Sequence, residues 1–495
     1  MSLPTPKLEV NKEKLFDPIV FLPNYSPNGG GIMRKVKLLL ALILAVGIFA
    51  GTFSVALADS HEFDWRQFEG ETIVASFPAH KAYNHWVDML PKFEEKTGIE
   101  VQVDQMNYGK MSTTQTLEMS KPNGDYDLIS MVGPLSKAKY AKAGYLEPLG
   151  PMMENERISY PDWDFDDFVD KLVTTQGKVC LSCKGKDIYL GGGEGSDTKL
   201  YAVPASSEVS VFAYRKDLFE EYGLVEPKTF EDVLELSEFF YENVDGVYGL
   251  TMRGKAGHQA GHGTLNLLKP FGGRIFTDDW EPAFTEEPAL ETLRYFKKIV
   301  EYGPPGIPSF GAGGNDNAFL QGKAAMYLDH SRIASLVRDP EQSKVKGKVA
   351  YSTIPTHKGV DDKTVAETGG FGIAIPANAG EIDKKAAFLL MQWMTSKKVE
   401  RELMTEYGVQ IVDRESLMKD PELQEEFPEY KVMAKQVQLA DPAWRPAIPE
   451  WPEIETEYFG VAVNKVLTGR KEVEKAMEDI VKPVREIMEE AGYYE

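Results

Sequence analysis

The chain of 495 residues carries a formal net charge of −22, because 77 acidic side chains outnumber 55 basic ones. This balance lacks the basic surface of a nucleic-acid-binding protein, so no nucleic acid is expected as a partner. The acidity favours solubility. The length exceeds what one compact core supports, so we expect two lobes.

The segment 33–58 has the layout of a secretory signal peptide. Three basic residues follow Met33, an unbroken apolar run covers 38–50, and the small-residue triplet ALA ends at Ala58. We expect cleavage after Ala58 and a periplasmic or extracellular location for the mature chain. An uncleaved anchor is the alternative, because 38–58 is just long enough to span a bilayer.

The segment 1–32 contains five prolines and no sustained periodicity, so it is expected to be irregular. Three glycines precede Met33 closely, and glycine codons can spell a ribosome-binding sequence. We therefore expect 1–32 to be an upstream extension outside the natural protein, with Met33 as its start. A genuine long leader is the alternative.

The two cysteines form the sequence CLSC at Cys180 and Cys183. A zinc ribbon needs a second pair, which the chain lacks. A thioredoxin-type pair opens a helix, whereas a glycine-rich stretch follows here. In an exported protein this pair is expected to form a local disulfide, with two free thiols as the alternative.

Strands alternate with helices along the mature chain, which predicts an α/β fold with a parallel sheet. The spacing of Trp86, Leu90 and Phe93 indicates the first helix. Thr229, with an acidic residue three positions later, is typical of a helix N-cap. After Ile382 the pattern becomes mostly helical. The predicted strands are ETIVAS, EVQV, YDLISMV, LYAVP, EVSVFAY, VYGLTM, AAMYL, KVAYSTIP and GFGIAIP.

The common catalytic and cofactor motifs are missing from the sequence. There is no phosphate-binding loop and no nucleophile elbow, and GGGEGSD ends in Ser196 where a dinucleotide fingerprint needs glycine. His258 and His262 have the spacing of a zinc motif, but Gln259 replaces its glutamate base. Glycines around them predict a polar loop rather than a helix, so neither a metal nor a cofactor is expected.

Five segments in order resemble the extracellular solute-binding proteins of ABC transporters, specifically the sugar-binding group that includes maltodextrin-binding proteins. The resemblance covers nearly all of the mature chain. The segments are AHKAYNHWVDMLPKFEEKTGIEV, YAVPASSEVSVFAYRKDLFEEYGLVEPKTFEDVLEL, AFLQGKAAMYLDHSRIASL, TGGFGIAIP and RPAIPEWPEIETEYFGVAVNKVLTGRKEVEKAMEDI.

The resemblance implies a two-lobed periplasmic-binding-protein fold of type II, which closes around ligand by hinge motion. It implies about three crossing strands, which we place near 206–211, 349–355 and 410–414. We expect lobe 1 to comprise 59–207 plus 354–411 and lobe 2 to comprise 208–353 plus 412–495.

The resemblance also implies candidate ligand-binding residues. Lys81 matches a ligand-contacting lysine, with His80 where the family often has an acid, and Glu208 matches a hinge-region glutamate. Asp329 follows a strand at a loop that turns into the cleft, and Phe371 stands where the family often has a stacking tryptophan. The full set of candidates is His80, Lys81, Glu208, His258, Asp329, Arg332, Phe371 and Trp451.

Arg332 is the main departure from the family pattern, because maltodextrin-binding relatives often carry a stacking tryptophan there. An arginine can stack on a sugar or bind a carboxylate or phosphate with two hydrogen bonds. The ligand is therefore expected to be an acidic sugar or a polyol. A structural pair of Arg332 with Asp329 or Glu367 is the alternative, and Phe371 could equally be ordinary core.

The resemblance implies a monomeric, non-enzymatic subunit that captures a carbohydrate or polyol and delivers it to ABC permease subunits. Two other functions stay open at this point. A secreted hydrolase would use a pair of carboxylates, and a sensing module for a chemoreceptor could use the same fold.

Overall fold

The computed structural model describes residues 62–183, 196–360, 368–409, 411–442 and 444–494. The predicted extension and signal peptide therefore lie outside the described residues, as does Glu367. Within the described ranges, no helix is both long enough and apolar enough for a membrane span.

The described residues form ten strands, and eight of them coincide with predicted apolar runs. They are β1 (Thr72–Pro78), β2 (Glu100–Met106), β3 (Leu128–Met131), β4 (Lys178–Cys180), β5 (Thr198–Leu200), β6 (Ala202–Arg215), β7 (Tyr248–Thr251), β8 (Ala324–His330), β9 (Val349–Ser352) and β10 (Thr368–Ala374).

Helices α1 to α11 alternate with these strands. They are α1 (Lys81–Thr97), α2 (Tyr108–Met119), α3 (Gly133–Lys142), α4 (Gly150–Met153), α5 (Asp170–Gln176), α6 (Lys216–Glu221), α7 (Phe230–Asn243), α8 (His258–Leu268), α9 (Glu287–Tyr302), α10 (Ala312–Leu320) and α11 (Ile333–Arg338). The C-terminal region is helical, as predicted. Its helices are α12 (Glu381–Met394), α13 (Lys397–Tyr407), α14 (Glu415–Met418), α15 (Pro421–Glu426), α16 (Tyr430–Leu439), α17 (Trp451–Glu453), α18 (Gly460–Leu467) and α19 (Val473–Glu490), with a π-helical segment at Ile454–Phe459.

Eight of the strands form one mixed sheet in the order β2-β1-β3-β10-β6-β8-β7, with β9 also paired to β6. The α/β fold class is confirmed, but the sheet is not wholly parallel. The pairs β1–β2, β1–β3 and β7–β8 are parallel, whereas β10 and β6 run antiparallel to their neighbours. The antiparallel strands lie in the middle because the chain crosses between the lobes there.

The strand β6 belongs to both lobes. Its first part, 202–209, pairs with β10 of lobe 1, and its second part, 210–215, pairs with β8 and β9 of lobe 2. The first predicted crossing, 206–211, therefore falls where β6 changes partners. Two apolar cores are buried. One contains Trp86 and Phe93 of lobe 1 and extends across the hinge to Tyr327, and the other surrounds Phe296 in lobe 2.

The second predicted crossing, 349–355, differs from the structure. Ile354 is buried in the core of lobe 2 and His357 lies 3.0 Å from Glu231, so these residues still belong to lobe 2. The third predicted crossing, 410–414, stays a prediction.

Arg414 is fully buried in lobe 1, where it donates to the carbonyl oxygens of Trp163 and Thr395. The helix α16 still contributes Met433 and Val437 to the core that includes lobe 1. The segment before and within α16 also contacts lobe 2, because Glu429 pairs with Arg338 and the Gln436 side chain accepts from the Ile354 amide at 3.1 Å. The residues that follow the predicted third crossing therefore contact both lobes.

The histidine pair that was predicted to lie in a loop begins the helix α8. Gly257 adopts a left-handed φ of 83° immediately before it. A side chain at Gly263 would come within 2.2 Å of the Arg253 carbonyl oxygen, and one at Gly261 within 2.7 Å of the Glu455 side chain. The glycines thus allow close packing of the helix rather than breaking it.

Two local predictions correspond to features of the structure. Thr229 caps α7, where its hydroxyl accepts from the Asp232 amide at 3.2 Å and the Asp232 carboxylate accepts from the Thr229 amide at 2.8 Å. Cys180 and Cys183 are joined by a disulfide at the end of β4, with Cα atoms 5.4 Å apart.

Candidate functional site

A cavity of about 230 Å³ lies where the two lobes meet at the hinge. Lobe 1 contributes the end of β1 and the start of α2, and the hinge contributes β6 and β10. Lobe 2 contributes α8 and the residues after β8. The predicted candidates that line this cavity are His80, Glu208, His258, Arg332 and Phe371.

Glu208 stands at the centre of the hinge wall, with 7% of its side chain exposed. His80 of lobe 1 places Nε2 3.6 Å from Oε1, and His330 of lobe 2 places Nδ1 3.4 Å from Oε2. Burial disfavours the charged carboxylate, but His330, Arg332 and His80 together lower the pKa of Glu208 to about 2. Glu208 is therefore ionised at neutral pH, between two imidazoles from opposite lobes.

Asp329 lies behind the cavity wall rather than in it, and only 1% of its side chain is exposed. Arg253 binds it with two hydrogen bonds of 2.5 and 2.7 Å, and Asn315 donates to it at 2.9 Å. His262 lies 3.1 Å from the same carboxylate. Despite burial, Arg253 and His330 hold the pKa of Asp329 well below its usual range. Asp329 thus orients Arg253 and His262, which do line the cavity.

Arg332 pairs with Asp316, a partner that was not considered from the sequence. Its Nη2 donates to Asp316 Oδ2 at 2.5 Å, and the Tyr327 hydroxyl donates to the other oxygen at 2.8 Å. The guanidinium therefore lines the cavity with its charge already balanced.

A third ion pair closes the lobe 2 side of the cavity. Glu455, fully buried in the π-helical segment, lies 2.8 Å from His258 Nδ1 and 3.4 Å from Arg445 Nη2. Arg445 Nη2 also lies 3.1 Å from His262 Nδ1. Burial and Arg253 hold the pKa of His262 well below its usual value. The neutral ring therefore accepts from Arg445 and donates to Asp329.

Phe371 forms an aromatic wall of the cavity. Its ring centroid lies 5.4 Å from that of His80, 5.6 Å from Tyr83 and 6.4 Å from Tyr108. A β-bulge between Gly370 and Gly372 interrupts the regular alternation of side chains along β10. A bulge re-aims the side chain it carries, so Phe371 turns toward the cavity and stays half-buried while the next residues enter the core.

Besides Asp329, two further candidates do not line the cavity. Trp451 is fully buried in the core of lobe 2, where it packs beside Phe459 at 6.3 Å. Lys81 begins α1 outside the lining. Burial lowers the pKa of Lys81, an effect that the nearby Asp339 opposes. The resemblance placed both residues close to the cleft along the chain, but packing turns their side chains elsewhere.

Sequence reasoning missed several lining residues, namely Tyr108, Arg253, Gln259, His262, His330 and Arg445. The histidines were the one feature of the composition that pointed to these residues. Four of the seven histidines in the chain converge on this cavity. Histidines rarely cluster by chance, but their separation along the chain hid the cluster until the lobes were assembled.

Among the described residues, one cluster has donor atoms close enough for a metal ion, namely His262, Asp329 and His330, within 4.8 Å of one another. Its chemistry suits a cation poorly. Both oxygens of Asp329 already accept hydrogen bonds from Arg253, and the Arg445 guanidinium contacts His262. A metal ion would have to bind beside two positive charges.

Three polar atoms of the lining are buried without a hydrogen-bond partner in the part of the chain that the structure describes. They are Nδ1 of His80, Oε1 of Glu208 and Nε of Arg332. Buried polar atoms in native proteins are normally satisfied by protein, water or ligand. These atoms include an anionic acceptor and donors, which is what a ligand rich in hydroxyl groups can satisfy.

Comparison with known proteins gives consistent results. The family model for the bacterial extracellular solute-binding proteins matches residues 78–401. A mannitol-binding protein of Pseudomonas aeruginosa is 28% identical over 404 residues, covering 76% of this chain and 84% of that protein.

Two solved structures of ABC transporter solute-binding proteins are also similar. One, from Agrobacterium radiobacter K84 in complex with ribitol, has a TM-score of 0.73 at 28% identity and covers 85% of this chain and 99% of that one. The other, from Agrobacterium vitis S4 with bound D-mannitol, has a TM-score of 0.73 at 26% identity and covers 86% and 100%.

Proposed function

The chain belongs to the bacterial extracellular solute-binding proteins, and from that premise we propose that it captures a small neutral polyol or monosaccharide for an ABC importer. The observation that carries this proposal is the ionised Glu208 at the hinge, held between imidazoles of both lobes and with Oε1 unsatisfied. A ligand hydroxyl that donates to this oxygen would bind most strongly when the lobes are closed around it.

The size of the cavity supports a small ligand. The volume of about 230 Å³ leaves room for several waters or for one small organic molecule. It is smaller than the roughly 300 Å³ at which pockets for drug-sized ligands begin. A linear polyol or one sugar ring fits this space better than a maltodextrin.

The charges of the lining support a neutral ligand rather than an acidic one. Arg253, Arg332 and Arg445 each pair with a buried carboxylate. A ligand carboxylate would meet guanidiniums whose charge is already balanced, and it would also face Glu208. Hydroxyl groups avoid this repulsion and can both donate and accept. This choice agrees with the similar proteins, which are a mannitol-binding protein and two solute-binding proteins solved with ribitol and with D-mannitol.

Binding rather than hydrolysis is the activity we propose. Glycosidases need two carboxyl groups about 5–10 Å apart, both facing the substrate. Among the described residues that line the cavity, Glu208 is the one carboxylate. Asp316 and Asp329, which pair with arginines of the lining, point into those ion pairs.

We further propose that the chain acts as a monomer with ABC permease subunits as partners, after export by the segment 33–58. The family is described as extracellular, and the segment has the order of a cleaved signal. The mass of the secreted chain tests cleavage after Ala58, because an uncleaved segment would add the whole leader.

A thermal-shift screen tests the function. We expect D-mannitol, ribitol or a neutral monosaccharide to stabilise the protein, by about 2.7 kcal/mol at a hundred times the dissociation constant. Glucuronate should give a smaller shift, and an aryl glycoside should not be hydrolysed. Stabilisation by glucuronate alone would contradict the neutral-ligand proposal, and turnover of the glycoside would contradict a pure binding role.

Replacing Phe371 by alanine is expected to weaken binding by about tenfold, because an aromatic face on a ligand contributes roughly 0.5–1.5 kcal/mol beyond the buried area. The melting temperature without ligand should change little, since the ring is only half-buried. Isothermal titration with D-mannitol measures the first effect and calorimetric melting the second.

The matched control is Phe77→Ala, which removes a fully buried ring. That change is expected to cost about 3–5 kcal/mol of stability. A similar loss of stability for Phe371→Ala would make Phe371 a core residue.

A further inference from the structure

The hinge strand β6 contains a kink directly before Glu208. Ser206 has a left-handed φ of 64°, a conformation that residues other than glycine rarely adopt. In β10, Gly370 also has a left-handed φ, of 76°, and it pairs with Ser207. A Cβ atom at Gly370 would lie 2.4 Å from the Ser206 carbonyl oxygen. Two left-handed residues therefore sit side by side in two neighbouring strands of the hinge region.

One carboxylate holds this kink. Asp413, with no exposed surface, accepts the amide hydrogen of Ser206 at Oδ2 over 2.8 Å and that of Ser207 at Oδ1 over 3.0 Å. Its own backbone is tied to lobe 1, because its carbonyl oxygen accepts from the Val169 amide at 2.9 Å. A strained backbone of this kind persists only where its surroundings over-determine it.

The far side of Glu208 is held by lobe 2. The Ser331 amide donates to the Val209 carbonyl oxygen at 2.7 Å, and the Val209 amide donates to the Ser331 hydroxyl at 3.2 Å. Glu208 thus lies between a lobe 1 anchor at Asp413 and a lobe 2 anchor at Ser331. Its backbone lies at the position where β6 passes from lobe 1 to lobe 2.

We infer that Asp413 is a positioning residue for ligand binding, which clamps the kink of β6 and thereby fixes the direction of the Glu208 side chain into the cavity. The clamp requires a carboxylate, because both of its oxygens must accept. An asparagine of the same size could accept only one amide hydrogen, and its NH₂ group would face the other donor. The binding part of this inference rests on the proposed function.

The experiment compares Asp413→Asn with the wild type by amide hydrogen exchange and by titration with D-mannitol. We expect the amides of Ser206 and Ser207 to exchange at least about tenfold faster, since a buried hydrogen bond to a charged acceptor is lost. We expect D-mannitol affinity to fall by a similar factor. Unchanged exchange at these two amides would overturn the inference.

A second variant separates the clamp from general stability. In the double variant with Ser206→Gly, glycine adopts the left-handed φ without the steric penalty, so the kink depends less on Asp413. We expect affinity to return to within about threefold of the wild type. A double variant no better than Asp413→Asn alone would mean that Asp413 acts elsewhere, and the inference would fail.

The matched control is Asp127→Asn in lobe 1. Asp127 is also a buried carboxylate that accepts a backbone amide, from Val74 at 2.8 Å, but it lies away from the hinge. It should leave exchange at the kink and D-mannitol affinity as in the wild type. An equal effect from Asp127→Asn would overturn a specific role for Asp413.

If Asp413→Asn does not fold, the variant Ser206→Val tests the same kink with Asp413 intact. A β-branched residue opposes the left-handed φ, so D-mannitol affinity should fall. Unchanged D-mannitol affinity would contradict the inference. If the wild type binds neither D-mannitol nor ribitol, the proposed function fails, while the exchange rates still decide the clamp without a ligand.

Discussion

Replacing Glu208 by glutamine is expected to lower the affinity for D-mannitol on the order of a hundredfold. A hydrogen bond to a charged acceptor contributes about 1.5–3 kcal/mol, and 1.4 kcal/mol is a factor of ten in affinity. The variant would also leave Arg332 and two imidazoles facing a neutral amide. Isothermal titration measures the loss, and a change within threefold would remove Glu208 from the site.

The control for this variant is Glu381→Gln on the surface of lobe 1, whose side chain is 81% exposed. It removes the same charge far from the cavity and should leave binding unchanged. If both variants weaken binding equally, the effect is one of overall charge.

The same carboxylate should also shape the pH dependence of stability. The pKa of Glu208 is lowered to about 2 in the folded protein from an ordinary value of 4.5. Its contribution to stability is therefore present above about pH 4.5 and is lost as the pH falls toward 2. The difference in unfolding free energy between the wild type and Glu208→Gln should shrink over this range.

Replacing Asp329 by asparagine is expected to lower the free energy of unfolding by about 3–5 kcal/mol, because it leaves the buried Arg253 charge uncompensated. Both side chains are at most 5% exposed, so water cannot replace the lost partner. Urea unfolding followed by circular dichroism measures the change. A loss under about 1 kcal/mol would contradict the importance of this ion pair.

A matched control is Glu474→Gln, which breaks the exposed pair with Arg294 on the surface of lobe 2. Exposed pairs are screened by water and contribute little, so the unfolding midpoint should not move. A folded Asp329→Asn protein should also bind D-mannitol more weakly, because Asp329 orients Arg253 and His262 in the lining.

Local sequence patterns were enough to predict most of the strands and the protein family. Apolar alternation and helical spacing depend on neighbours along the chain, so Thr229 could be recognised as a cap and 202–215 as an apolar strand region. The order of five segments identified a solute-binding protein, which the family match confirmed. Glu208 was found because the hinge strand is itself a continuous segment.

Contacts between distant segments could not be predicted in this way. The partner of Arg332 is Asp316, from a helix that the sequence did not single out. The glycines of α8 suggested a loop from the sequence. They occur in the helix because Arg253 and Glu455 approach its backbone closely, which only the assembled structure shows. The predicted crossing at 349–355 was misplaced for a similar reason, since lobe membership depends on which distant elements bury a segment.

For this protein, the chain's own pattern was sufficient for the α/β class and the solute-binding family, since these follow from short-range periodicity and ordered motifs. The assembly of the lobes was needed for the cavity, its four histidines and the three arginine–carboxylate pairs. Burial sets which charges must be paired, and burial exists only once segments far apart in sequence have packed together.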